Sequence, residues 1–239
     1  NYINDVQQLC AGSLHIGGSN LFSSYVLPPL LTEFKKRFPK IEIHLLEEST
    51  VQLEKSLLEG KLDFIIDNYF FSQQIFSRHL YHNEHLILAV PKYLNVNQIL
   101  KEYQISVDQI ITGSYLEEEV LPVPLEKFEN EYFLFLKTEN DTRERGIKLC
   151  QNSGFKPKIL LNLDQQVTAY NITCSGMGIS FISDTLVKCV LPHPEVVYYK
   201  LQGEETSRNI YFYRKKGRYV TRVMQEFLNL VEEMPMKGV

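Results

Sequence analysis

The sequence predicts an α/β protein of two lobes with a central cleft, and three patterns carry that prediction. Strand and helix periodicities alternate as β-α-β-α-β from Ser13 to Ile66, the repeating unit of an open parallel sheet. The pattern restarts after a strand from Leu86 to Val90 that Pro91 ends. A second alternation then runs to Ile182, and two strands and a closing helix follow Leu191-Pro192-His193-Pro194. Chain crossings near Pro91 and Pro192 divide the sequence into a first lobe of residues 12–91 and 197–239 and a second lobe of residues 92–196.

Each element has a local cause. Ser13 to Ile16 is a short strand running into Gly17 and Gly18. Leu27, Leu30, Leu31, Phe34 and Phe38 recur at helical spacing, with Pro28 and Pro29 expected in the first turn, where a missing N–H costs nothing. Ile41, Ile43 and Leu45 alternate with polar residues as a strand. Thr50 is the expected N-cap of a helix through Leu53, Leu57 and Leu58 that Gly60 stops. Leu62 to Ile66 is a buried strand.

In the second alternation, residues 93–105 are expected to be helical and Gln109 to Thr112 a short strand. Residues 117–131, acidic and carrying two prolines, are expected to be irregular. Tyr132 to Leu136, Ile159 to Leu163 and Ile179 to Ile182 read as strands; Asp141 to Asn152 and Gln165 to Ser175 read as helices that Gly154 and Gly176 end. Two strands, Val196 to Leu201 and Asn209 to Tyr213, precede a helix from Tyr219 to Met234.

Composition narrows the function. With 25 basic against 29 acidic residues, the chain lacks the basic footprint that displaces counterions from nucleic acid. Its only basic cluster is Arg214, Lys215, Lys216 and Arg218, which a solvated turn explains. The first residues show neither a basic nor an apolar signal region, so a signal peptide is absent or has been removed, and the expected location is cytoplasmic. Cys10, Cys150, Cys174 and Cys189 match no zinc or disulfide spacing and read as free thiols.

No metal, cofactor or catalytic site is expected. His79, His82 and His85 lie in a strand, where residues three apart face opposite sides and cannot share one ion. There is no nucleophile elbow, no phosphate loop and no dinucleotide fingerprint.

Binding has better candidates. Ligands of open α/β sheets sit outside the carboxyl ends of the strands, against helix N-termini whose unpaired N–H groups favour anionic or carbonyl oxygens. Small polar residues occupy such corners at Ser19 and Asn20, at Thr50, at Thr138, and at Gln165 and Gln166. Asn68 and Tyr69 follow the third strand, and Lys137 is a cation at a strand end that could pair with a carboxylate. Helix capping or an ordinary surface loop accounts for each of these equally well. Glu47, Asp67 and Asp164 lie nearby and argue against a strongly positive pocket, so the helix starts and Lys137 point no further than to a small carboxylate or an amino acid.

Three stretches in order resemble the effector-binding domain of LysR-type transcription regulators. They are Gly12 to Pro39 with Leu27-Pro28-Pro29-Leu30-Leu31, Glu47 to Asp63 with Leu57-Leu58-Glu59-Gly60, and Gly154-Phe155-Lys156-Pro157 leading to Ser175-Gly176-Met177-Gly178-Ile179. Lys216-Gly217-Arg218-Tyr219 adds a weaker echo. The resemblance implies two Rossmann-like lobes of the type 2 periplasmic-binding-protein kind. It also implies a small-molecule effector in the interlobe cleft, with Ser19 and Thr50 at matching positions. Residues 1–11 would be the end of a linker helix, and an N-terminal winged helix-turn-helix absent from this chain would bind DNA. Side-by-side homodimers, or a tetramer, would use the Leu27 to Phe38 helix, the Tyr25-Val26 edge and the Asp141 to Asn152 helix. The alternative is a solute-binding protein of a transport system.

Overall fold

The computed structural model describes residues 11–236; the expected linker end at residues 1–11 falls almost wholly outside these, as does Cys10. In chain order the main elements are β1 (Gly12–Gly18), α1 (Leu27–Arg37), β2 (Ile41–Glu47), α2 (Thr50–Leu58), β3 (Phe64–Asp67) and β4 (Phe76–Pro91). Next come α3 (Val96–Ile99), β5 (Gln104–Ile105), α4 (Val107–Thr112), β6 (Tyr132–Leu136), α5 (Asp141–Asn152) and β7 (Lys158–Leu163). The chain ends with α6 (Gln166–Cys174), β8 (Ile179–Ser183), α7 (Asp184–Cys189), β9 (Val196–Lys200), β10 (Ser207–Lys215) and α8 (Arg222–Glu233). It forms two compact units: one runs to His82 and resumes at Asn209, the other is Asn83–Arg208.

In the first unit, β1 pairs in parallel with β2 and β3, and β10 lies antiparallel against β3. The period-2 alternation of β1 turns Leu14 and Ile16 into a core with Leu30 and Phe34 of α1 and Met224 and Phe227 of α8. The other sheet face holds Leu53 and Leu57 of α2 against Ile65 and Tyr213. Gly17 faces that helix, and a Cβ there would stand 2.6 Å from a Leu53 methyl. Asp63 fastens the strand entry: its carboxylate accepts from the His15 N–H at 2.8 Å, its own N–H donates to the His15 carbonyl, and Arg218 pairs with it at 3.0 Å.

Several expectations need correction. Pro28 and Pro29 fall in the first turn of α1 as expected, but helical backbone precedes them from Asn20. A proline inside a helix clashes with the carbonyl four residues back. One turn of wider π-helix, Phe22–Val26, precedes the pair, and the Leu27 N–H reaches back five residues to the Phe22 carbonyl. At α2 the N-cap is Ser49 rather than Thr50. The last helix begins at Arg222 rather than Tyr219, with the Thr221 hydroxyl accepting from the Met224 N–H.

The second unit orders its strands β9-β4-β8-β6-β7, with β5 on the far side of β9. Its core gathers Leu86, Leu88, Phe133, Phe135, Phe181 and Tyr199. Gln109 to Thr112 is helical, not a strand: Ser106 and Gln109 form a reciprocal capping box and Gly113, at φ 80°, ends the turn. The helix expected over residues 93–105 breaks into α3, a 3₁₀ turn at Lys101–Tyr103 and β5. α7 was not anticipated; the Ser183 hydroxyl caps it by accepting from the Leu186 N–H. Among the described residues no helix is long and apolar enough to cross a membrane.

Gly146 sits mid-helix in α5, where alanine normally gains about 1 kcal/mol over glycine. A Cβ there would meet the buried rings of Phe181 at 2.9 Å and Phe135 at 3.0 Å. Overpacking of a core costs about 1–3 kcal/mol and outweighs the propensity gain. Gly146→Ala should therefore lower the unfolding free energy in a urea titration by about 1–2 kcal/mol; a neutral or stabilised variant would mean that the rings yield.

Candidate functional site

Parallel pairing brings the carboxyl ends of β1, β2 and β3 to one rim of the first unit. Gly18 is in register with Glu47 on one side and Ile66 on the other, and the Glu48 N–H donates to the Gly18 carbonyl at 3.3 Å. Ser19, Asn20, Thr50, Asn68 and Tyr69 all follow these ends. Gly18 is required there, since a Cβ would lie 3.0 Å from Ile66 and 3.2 Å from Phe22.

Two helices begin on this rim. The first carbonyl of one belongs to Ser19, which accepts from the Ser23 N–H at 2.8 Å; the first of the other belongs to Ser49, which accepts from Leu53 at 2.9 Å. The N–H groups before those two donors, Asn20 to Phe22 and Thr50 to Gln52, belong to first turns and have no intrahelical carbonyl to bond.

The hydroxyls at the two corners differ chemically. Thr50 donates to the Asp67 carboxylate at 3.0 Å, leaving only lone pairs for a ligand. The Ser19 hydroxyl makes no hydrogen bond to any described residue, so it can still donate. Asp67 is 2% exposed and also accepts from the Tyr69 N–H at 2.8 Å, while the Tyr69 carbonyl accepts from the Tyr213 hydroxyl. Asn20 donates its amide to Glu47 at 3.0 Å, and Asn68 is half-buried at the end of β3.

The remaining candidates lie in the second unit. Lys137 and Asp164 follow β6 and β7 and pair with each other at 2.9 Å. Thr138 is exposed in a turn whose next residue, Glu139, has a φ of 63°. Asn140 caps α5, its side-chain oxygen accepting from the Thr142 and Arg143 N–H groups. Gln165 is the half-buried N-cap residue of α6. Gln166 is buried, and its side-chain oxygen accepts from both the N–H and the hydroxyl of Ser183 at 2.8 and 3.1 Å.

The second unit also holds a charged cluster that sequence reasoning missed. Arg208 is 4% exposed; it donates to Glu84 at 2.7 Å and, through one nitrogen, to Asp141 and Thr142 at 2.8 and 2.9 Å. Arg145 joins at Asp141 at 2.7 Å. Burial works against the Arg208 charge, but the carboxylates of Glu84 and Asp141 overcome it and raise the guanidinium pKa. Nearby, the buried Asp184 accepts from the His85 N–H, the Tyr115 hydroxyl and Lys188. Burial holds the His85 imidazole below its ordinary value, although Asp184 opposes this. His79, His82 and His85 do lie in one strand, and no group of three metal-ligating side chains occurs among the described residues.

Two α/β units whose parallel strands end at polar helix starts have the architecture of a small-molecule-binding domain. Residues 7–235 match the LysR substrate binding domain family, and the chain belongs to that family. It is 28% identical over 222 residues to the uncharacterized HTH-type transcriptional regulator YcgK of Bacillus subtilis (strain 168), covering 92% of this chain but only 66% of that relative. Its fold is similar to the regulatory domain of CcmR from Synechocystis PCC6803 in complex with 2-PG, at a TM-score of 0.75 and 17% identity, covering 94% and 98% of the two chains. It is also similar to the effector binding domain of QuiR in complex with shikimate, at a TM-score of 0.74 and 16% identity, covering 94% and 97%.

Removing one member of a buried ionic cluster strands the others without compensation, at about 3–5 kcal/mol. Arg208→Met should lower the unfolding free energy by about that amount in a guanidinium titration. A loss below about 1 kcal/mol, the size of a surface pair, would show that water reaches the cluster.

Proposed function

We propose that this chain is the effector-sensing part of a bacterial LysR-type transcription regulator, whose DNA-binding part lies outside these residues. The support is its family membership together with a relative, described as an HTH-type regulator, of which the chain covers only 66%. The transport reading is not favoured, because the matching proteins are regulators. A regulator acts on DNA inside the cell, so the reading carries a cytoplasmic location.

The effector is taken to be a small carboxylate at the strand-end rim of the first unit. The single observation behind this is the pair of first-turn N–H sets at Ser19 and Thr50, with a Ser19 hydroxyl still able to donate. Glu47 and Glu48, both exposed, and the buried Asp67 disfavour a multiply charged anion. A carboxylate carrying hydroxyl or amino donors fits better: its donors would meet Glu47 and the Thr50 lone pairs. Shikimate, bound by QuiR, is such a molecule. Asn20, Asn68 and Tyr69 are proposed as further contacts. Of the second-unit candidates, Thr138 and Gln165 remain proposed for ligand binding at that unit's own strand ends. Lys137 is neutralised by Asp164, and Gln166 serves Ser183.

The two corner hydroxyls separate the ligand role from the structural one. A thermal-shift screen of organic acids and amino acids should yield a stabilising ligand. Against that ligand, Ser19→Ala should weaken binding by about 1–3 kcal/mol with an unchanged melting temperature. Thr50→Val should mainly lower the melting temperature, because Asp67 loses a donor while buried. Unchanged affinity in Ser19→Ala would remove the rim from the account.

We further propose that the chain forms homodimers. Each unit carries an apolar groove open to a second copy: Pro28, Leu31 and Leu45 line one on α1 and β2, and Ile147, Phe155 and Ile159 line one on α5 and β7. Sedimentation at tens of micromolar, about the range of weak interfaces, should give a dimer that Leu31→Glu dissociates. A monomer at that concentration contradicts the proposal.

A further inference from the structure

The basic cluster near the end of β10 divides by what each member does. Lys215 donates to the Leu58 carbonyl at the end of α2, Lys216 to the Gln73 carbonyl, and Arg218 to the Leu62 carbonyl while pairing with Asp63. These three have structural tasks. Arg214 does not: among the described residues its guanidinium has no hydrogen-bond, ion-pair or ring partner, although it is half-buried. Half-buried guanidinium groups are ordinarily paired, so this one calls for an explanation.

Arg214 lines a pocket of 170 Å³ within the first unit, together with Phe64, Ser77, His79, Phe212 and Leu228. Phe64 opens β3, Ser77 and His79 open β4, and Arg214 nears the end of the antiparallel β10. The pocket therefore sits at the amino ends of the parallel strands, opposite the rim that carries Ser19 and Thr50. Its wall is apolar: two phenylalanine rings and a leucine. Its polar groups are the guanidinium, the Ser77 hydroxyl and the His79 imidazole. No carboxylate lines it; Glu232 of α8 stands 4.0 Å from the His79 imidazole. Arg78 also borders the pocket, but its guanidinium lies over the Phe70 and Tyr211 rings at 4.6 and 4.7 Å, which leaves Arg214 to supply the charge.

We propose that this pocket is a second ligand site, distinct from the strand-end rim, that takes a small monocarboxylate with an apolar body. The guanidinium fork matches a carboxylate in a bidentate pair, and the phenylalanine and leucine wall covers an alkyl or ring body. Beside that wall the charge pair is less screened than in open water. A small, fully hydrated anion gains nothing from the wall, and a neutral molecule of the same shape gains nothing from Arg214.

Titration with hexanoate, followed by amide NMR shifts, tests this. The Ser77, His79 and Phe212 amides should move on saturation, and 1-hexanol, acetate and inorganic phosphate should each bind about tenfold or more weakly. Arg214→Gln should weaken hexanoate about tenfold. Ser77→Asp, which places an anion at the pocket edge, should do the same should the first variant fold poorly. Ser19→Ala should leave hexanoate binding at these amides unchanged, which keeps this result separate from the fate of the rim proposal. Equal binding of hexanoate and hexanol, equal binding of phosphate, unchanged affinity in a folded Arg214→Gln or Ser77→Asp, or shifts that avoid these amides would each overturn it.

Discussion

A carboxylate buried at the end of β3 sets the chemistry of the rim. The Asp67 carboxyl group is 2% exposed, and a polar group taken out of water must be met by hydrogen bonds. It takes them from the Thr50 hydroxyl and the Tyr69 N–H. The start of α2 and the turn after β3 are thereby fixed to one atom group, and the Tyr213 hydroxyl holds the far side of that turn. A helix N-terminus carries roughly half a positive charge, and Asp67 sits against it. The rim thus keeps directional N–H donors while losing much of its net pull on anions. A ligand bound there, as proposed, would be selected by shape and hydrogen bonding more than by charge.

The parts of this arrangement that depend on chain neighbours were readable. Strand alternation at Ser13 to Ile16 and Ile41 to Leu45, and helical spacing from Leu27 to Phe38, place the parallel strands and hence the rim. Glycine and serine signals were readable too, but were outweighed where β-branched residues ran together: Ile110-Ile111-Thr112 suggested a strand, although Ser106, Gln109 and Gly113 spelled out a capped helix turn. The proline pair misled for a different reason. The prolines do open the α-helical turns of α1, but the π-turn before them is announced by nothing local to Pro28 and Pro29.

What the sequence hid is long-range pairing. Thr50 carried capping and ligand readings alike, and its actual partner, Asp67, lies 17 residues on. Arg208 meets Glu84 across 124 residues and Asp141 across 67. Both Glu84 and Arg208 stand where the chain passes from one unit to the other, so the buried cluster anchors both crossing strands to the start of α5. Asp164 is visible in the sequence as an acid near Lys137, but its direct pairing with that lysine, 27 residues away, is not. The same logic exposes Arg214: its three basic neighbours are explained by partners elsewhere in the fold, and it is not.

Amide chemical shifts measured while the chain is saturated with the most strongly stabilising acid test the central claim most directly. The account predicts the largest changes at Ser19 to Phe22, at Thr50 to Gln52 and at Asn68, because the donors that face the ligand are backbone N–H groups at those strand ends. A saturating ligand that leaves all three stretches unmoved would contradict it.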